Sequence, residues 1–365
     1  MPPGKGKIVL MGSGELASTM VEVHKELLFR LGPSPRAVFV DTPAGFQLNA
    51  DEISGKAVDY FSHRVQHPLT IASLKSAETM TELDTKTAYG IIESADYILI
   101  GPGSPSYAAR QWRKTRMPDL FIARVEAGAC LVTASAAALT LGRFTLPVYE
   151  IYKVGEDLHW ISGIDLLNHF GFNLAVIPHW NNADGGTHDT RFCFMGMPRM
   201  DRLMALLPSD VRILGIDEHT ACVLDLENNT AEIKGIGGVT LKGHDEEIHF
   251  KTSEIFSLDV LRPFRPIQTK TNPAISLAAS PAPSQPEKTA SCHQNSTTAL
   301  NAIEARVSTR PLESLNALTE SLLDLRAAYR NAKQFKEADA IRKCLEKAGI
   351  RIEDRENQSF WRLED

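Results

Sequence analysis

Ser135 closes the run Gly128-Ala-Cys-Leu-Val-Thr-Ala134 and is followed at once by three alanines. An apolar run that stops at one serine and continues in tiny residues is how a strand delivers a nucleophile to a sharp turn opening a helix. The neighbours must be small because the turn is tight and the serine backbone is strained there. A serine alcohol attacks poorly at neutral pH unless a base takes its proton and a carboxylate orients that base. Among eleven histidines, His179 stands out because it ends the apolar run Leu174-Ala-Val-Ile-Pro178; His159, His169 and His188 flank it in loops. The chemistry such a pair performs is acyl transfer to water.

These residues need a scaffold that brings them together. Short apolar runs at Lys7–Met11, Ala37–Asp41, Tyr97–Ile100, Cys130–Ala134 and Leu174–Pro178 read as strands. Between them lie helical patterns over Ser18–Leu31, Asp51–Val65, Ser76–Ser94 and Pro118–Ala127. That alternation implies an α/β fold, a doubly wound and mostly parallel sheet flanked by helices. Ligands of such sheets lie beyond the carboxyl ends of the strands. Four of these strands end in Gly12-Ser-Gly-Glu15, Gly101-Pro-Gly-Ser-Pro105, Ser135 and His179, so the four groups are expected to converge on one edge. From Val211 to about Lys251 the period shortens to alternating runs, which read as a β-meander closing the same domain.

Residues 263–312 are rich in Pro, Ser, Thr, Ala and Gln and read as a disordered linker. Such a segment buries too little apolar surface to offset its ordering entropy. Beyond it, Leu315, Leu318, Leu322, Leu325 and Ala328 repeat at helical spacing, as do Phe335, Ala338, Ile341 and Leu345. The expected organisation is a hydrolase domain over 1–262, the linker, and a small helical module with a strand-like tail over 313–365.

The 365-residue chain carries a formal net charge of −6, which gives no nucleic-acid footprint and disfavours adhesion to anionic membranes. No run of apolar residues approaches membrane-spanning length, so no membrane partner is expected and the cytoplasm is the expected location. The five cysteines are scattered without a CxxC pair, against a disulfide framework or a structural zinc site. His179, Asp184, His188 and Asp189 match no established ligand spacing, and Gly12-Ser-Gly lacks the rest of a phosphate loop. No metal or cofactor is expected. A homodimer is compatible with the sequence, which does not single it out.

Gly12-Ser-Gly-Glu15, Gly101-Pro-Gly-Ser-Pro105, Ala134-Ser-Ala-Ala-Ala138, Val176-Ile-Pro-His-Trp180, Asp189-Thr-Arg191 and Gly215-Ile-Asp-Glu218 occur in an order that resembles serine peptidases of the S51 family. These are the dipeptidase E and cyanophycinase type, cousins of class I glutamine amidotransferases, and the resemblance covers about residues 5 to 260. It implies a serine hydrolase acting on a small peptide or amide, with a leaning to aspartyl peptides. Ser135 would then be the nucleophile and His179 the base. Glu150 would orient the base, with Glu218 as the competing acid and otherwise a substrate-side group. Gly103 and Ala136 would hold the oxyanion, and Arg191 would clamp a substrate carboxylate. The family's elbow has glycines where this chain has Thr133 and Ala137. Alanine tolerates positive φ poorly, so either the turn is reshaped or the site has drifted into a silent, ligand-binding fold.

Residues 315–363, with Phe335, Ala338, Asp339, Ile341, Arg342, Gly349, Ile350, Glu353, Asp354 and Trp361 in place, resemble the C-terminal module of cysteinyl-tRNA synthetases. That implies a tRNA-related partner. The ten basic and eleven acidic residues of 313–365 keep a protein partner equally open.

Overall fold

The computed structural model describes residues 5–262 and, further on, residues 323, 326, 338–339, 341–343, 345, 350–355 and 358–363. Two compact units divide the chain, Met1–Thr269 and Lys270–Asp365. The linker expected over 263–312 lies outside the described residues.

The first unit contains β1 (Lys7–Met11), β2 (Ala37–Val40), β3 (Leu69–Ala72), β4 (Tyr97–Ile100), β5 (Cys130–Ala134), the two-residue strands β6 (Phe144–Thr145) and β7 (Ile161–Ser162), and β8 (Leu174–Ile177). They are followed by β9 (Arg212–Ile216), β10 (Thr220–Asp225), β11 (Thr230–Gly235), β12 (Val239–Lys242), β13 (Glu247–Phe250) and β14 (Ile255–Ser257). The helices are α1 (Val21–Arg30), α2 (Ala50–Tyr60), α3 (Glu82–Glu93), α4 (Pro105–Trp112), α5 (Met117–Glu126), α6 (Ala136–Thr140), α7 (Leu166–His169) and α8 (Met197–Ala205).

Eight strands form the main sheet in the order β14-β11-β10-β1-β5-β4-β2-β3. From β1 to β3 every pairing is parallel; β10, β11 and β14 add an antiparallel wing. Both faces of the central strands are covered, which is why they read as unbroken apolar runs. In β1, Ile8 and Leu10 enter one core with Val38, Ile98 and Leu131, while Val9 and Met11 enter the other with Phe39, Leu99 and Val132. Each such side chain contributes about 1.5–3 kcal/mol by leaving water. The α/β class and the mostly parallel sheet are as the alternation implies.

Two features differ from the sequence reading. Leu174–Ile177 does not join the main sheet; it pairs in parallel with β9 in a separate four-stranded sheet, order β13-β12-β9-β8. The flank of β1 that it would have taken is occupied by antiparallel β10. The meander is therefore shared between two sheets, with the turn between β9 and β10 crossing from one to the other. Strand β3 and helix α4 were not anticipated. Pro68 heads the first, and the Gly-Pro-Gly-Ser-Pro string disguises the second, in which Ser104 Oγ caps the helix by accepting the Tyr107 N–H at 3.2 Å.

In the second unit the described residues between 323 and 345 are helical, and Leu323, Leu345 and Ile350 form a small buried cluster with Ile341 against it. Strands β15 (Ile350–Arg355) and β16 (Gln358–Leu363) pair antiparallel with Ile352 opposite Trp361. Among the described residues of the chain, no helix is long and apolar enough to cross a membrane.

Candidate active site

Ser135 stands between β5 and α6 with φ 49° and ψ −116°, a left-handed backbone that is strained for a residue with a side chain. Its N–H donates to Met11 O at 3.1 Å, which ties the turn to the end of β1. None of Thr133, Ala134 or Ala136–Ala138 has positive φ, so the strain falls on Ser135 alone. The missing glycines therefore impose no backbone penalty, and the side chains of Thr133 and Ala137 pack in full burial.

Ser135 Oγ lies 2.9 Å from Nε2 of His179, 44 residues away in the chain. His179 follows β8 and also has positive φ, at 50°. Its N–H reaches Gly12 O at 3.3 Å, and the next N–H, of Trp180, donates to Ile216 O at 3.0 Å. The far side of the ring faces a carboxylate, since Nδ1 is 2.8 Å from Oε1 of Glu218. A carboxylate accepts, so Nδ1 carries the proton and Nε2 is left to accept from the serine hydroxyl. Glu218 is itself held: Asn182 Nδ2 donates to Oε1 at 3.1 Å, and its backbone N–H donates to Asn181 Oδ1 at 2.8 Å.

The acid beside the imidazole is thus Glu218 rather than Glu150. The reason is topological. Glu218 follows β9, the strand that pairs with β8, so adjacent strands present histidine and glutamate together. Glu150 opens a separate turn over Glu150–Val154, and its buried Oε2 has no hydrogen-bond partner.

Gly103 lies in the loop after β4, next to β5. Its φ is +152°, and a Cβ there would sit 2.0 Å from Pro43 O, so this loop requires glycine. Ala136 begins α6, where a backbone N–H has no acceptor within the helix. Arg191 is committed elsewhere: its Nε and Nη2 donate to the two oxygens of Asp189 at 2.9 and 2.8 Å, and its guanidinium lies 5.1 Å from the Phe192 ring centre. That pairing holds the Asp189 carboxyl well below the usual range. Arg191 borders a cavity of about 310 Å³ that also includes Trp180 and Met200.

Several groups at the site escaped the sequence reading. Asn181 and Asn182 gave no signal beyond following a candidate histidine. Glu15, 7% exposed, stands in sequence only as the end of a glycine-rich string. Burial raises its carboxyl, opposed by its own backbone N–H and by His179 and His219. Among the described residues, no cluster of three or more His, Cys, Asp or Glu is arranged to hold a metal ion.

The first unit is an α/β domain whose strand ends assemble a serine, a histidine and a glutamate in one hydrogen-bonded line. Its fold is that of a crystal structure of a peptidase from an acI-B1 Actinobacterium, with a TM-score of 0.57 and 21% identity over 70% of this chain and 98% of that one. Residues 313–362 match the family model described as the cysteinyl-tRNA ligase anticodon binding domain. A cysteine–tRNA ligase from Thermoplasma acidophilum is 45% identical over 47 residues, 13% of this chain. The chain spans about a tenth of the length of that curated relative.

Proposed function

We propose that the first unit is a serine hydrolase that cleaves a small peptide or amide through an acyl-enzyme. The observation that carries this reading is the continuous line from Ser135 Oγ through His179 to Glu218, with the serine on a strained strand-to-helix turn. His179 Nε2 takes the hydroxyl proton as Ser135 attacks the carbonyl, and Glu218 stabilises the imidazolium. The N–H groups of Ala136 and Gly103 donate to the negative oxygen that forms. His179 then protonates the departing amine, and water repeats the sequence to release the acid. The scheme draws only on these side chains, two amides and water.

Aspartyl peptides are the first substrates to try, on the S51 resemblance. A fluorophosphonate probe tests the reading directly. Ser135 should be phosphonylated in the wild type and unlabelled in Ser135→Ala, with an unchanged melting temperature. An inert Ser135 would leave a silent ligand-binding fold as the better account.

The match over residues 313–362 favours a second reading for that segment, an RNA partner of tRNA type. Its near balance of acidic and basic residues implies a shallow salt dependence. Gel-shift titration with tRNA should show binding by the full chain, and loss of binding on truncation at residue 312.

A further inference from the structure

Phe192, Cys193 and Phe194 have φ of 59°, 55° and 69°, three consecutive non-glycine residues in the left-handed region. Side chains disfavour that region, so such a run persists only where the surroundings dictate it, and strain of this kind gathers at functional sites. Here the restraints come from the residues of the site. The N–H of Phe192 donates to Trp180 O at 3.0 Å, that of Cys193 to His179 O at 3.1 Å, and that of Phe194 to Thr190 O at 2.9 Å.

Core packing accounts for two of the three side chains. Phe192 is buried edge-on against Trp180, with ring centres 4.4 Å apart, and Cys193 is buried beside it. Phe194 is different: it is only part-buried and stands beside the His179 imidazole, ring centres 6.4 Å apart at 43°. Tyr152 stacks on Phe194 at 5.1 Å and 30°, and the exposed His188 continues the stack at 6.5 Å and 22°. An aromatic wall therefore runs outward from the imidazole.

We propose that Phe194, backed by Tyr152, is the surface on which the leaving group rests, and that the site prefers amides whose amine carries a planar apolar group such as an aromatic residue. This rests on the serine-hydrolase reading. When the acyl C–N bond breaks, its electron pair stays on nitrogen and His179 Nε2 supplies the proton. The amine therefore departs at the imidazole, and its substituent meets what borders that ring. Aromatic pairs gain from offset or edge contacts beyond the area they bury.

The test compares dipeptides that share an N-terminal residue and leave either phenylalanine or alanine. Wild type should favour phenylalanine at least about tenfold in kcat/KM. Phe194→Ala should abolish the preference and Phe194→Tyr should retain it. Fluorophosphonate labelling of Ser135, which expels fluoride rather than an amine, should proceed equally in all three proteins. Binding of the same peptides to Ser135→Ala, by calorimetry, reads the wall without turnover. Equal affinity for the two peptides, or a preference that survives Phe194→Ala, overturns the wall. Absence of labelling in wild type overturns the hydrolase reading instead, and the calorimetry still decides the wall.

Discussion

The backbone carbonyl of Glu15 accepts a 2.6 Å hydrogen bond from Nε2 of His24, a histidine with no exposed surface. A carbonyl cannot donate, so Nε2 bears the proton and Nδ1 accepts from the Tyr97 hydroxyl at 2.6 Å. This pair anchors the segment after β1, whose Gly12 carbonyl receives the N–H of His179, while Met11 at the end of β1 receives that of Ser135. Burial pushes the His24 imidazole down to about 4, opposed by its bond to Glu15. With the folded pKa below the unfolded value, the unfolded chain binds more protons between pH 6.5 and 4. The His24 contribution is then intact above about pH 6.5 and falls by ~3 kcal/mol on acidification to pH 4. Glu15, whose carboxyl is raised, works in the opposite sense and is most favourable to the fold below its unfolded pKa. Urea unfolding across this window should show His24→Gln losing less stability on acidification than wild type; equal slopes would refute the assignment.

Glu218→Gln should cut turnover by about 10³–10⁴-fold, because an amide at that position no longer fixes the proton on Nδ1. Glu150→Gln should leave turnover nearly unchanged. The two rates, measured on one amide substrate, decide which acid serves the histidine.

Gly103→Ala places a methyl 2.0 Å from the Pro43 carbonyl oxygen and holds alanine at φ +152°. Overpacking of this kind costs about 1–3 kcal/mol. Chemical denaturation should report that loss, and phosphonylation of Ser135 should slow if the displaced amide serves the oxyanion.

Arg191 spends its two-point hydrogen bonding on Asp189. Its removal should therefore alter the preference for acidic over neutral acyl groups by no more than about twofold. A substrate clamp would lose about 100-fold. Ratios of kcat/KM for Arg191→Ala on paired substrates distinguish the two.

The central strands were legible because burial on both faces leaves few polar groups in Lys7–Met11, Tyr97–Ile100 or Cys130–Ala134. Ser135 and His179 were legible for the same reason, as polar residues that end such runs. Sheet membership was not, since the identical run Leu174–Ile177 could extend either sheet and only the long-range return of β10 decides. Glu150 lies nearer the serine in sequence than Glu218 does, yet chain proximity carries no information about which loop meets the imidazole. The aromatic wall was hidden for a related reason: nothing in Phe192-Cys-Phe194 announces a left-handed turn, a conformation its side chains disfavour.

A side chain at position 12 would collide with the Asp217 carbonyl oxygen at 2.0 Å. At this glycine the main sheet, at whose edge Ser135 stands, touches the smaller sheet, which presents His179 and Glu218. The line from Ser135 through His179 to Glu218 is thus a joint between two layers rather than a property of either. Slippage along that seam by a fraction of an ångström would part the serine from the imidazole while both cores stayed dry, so this alignment is more fragile than the fold.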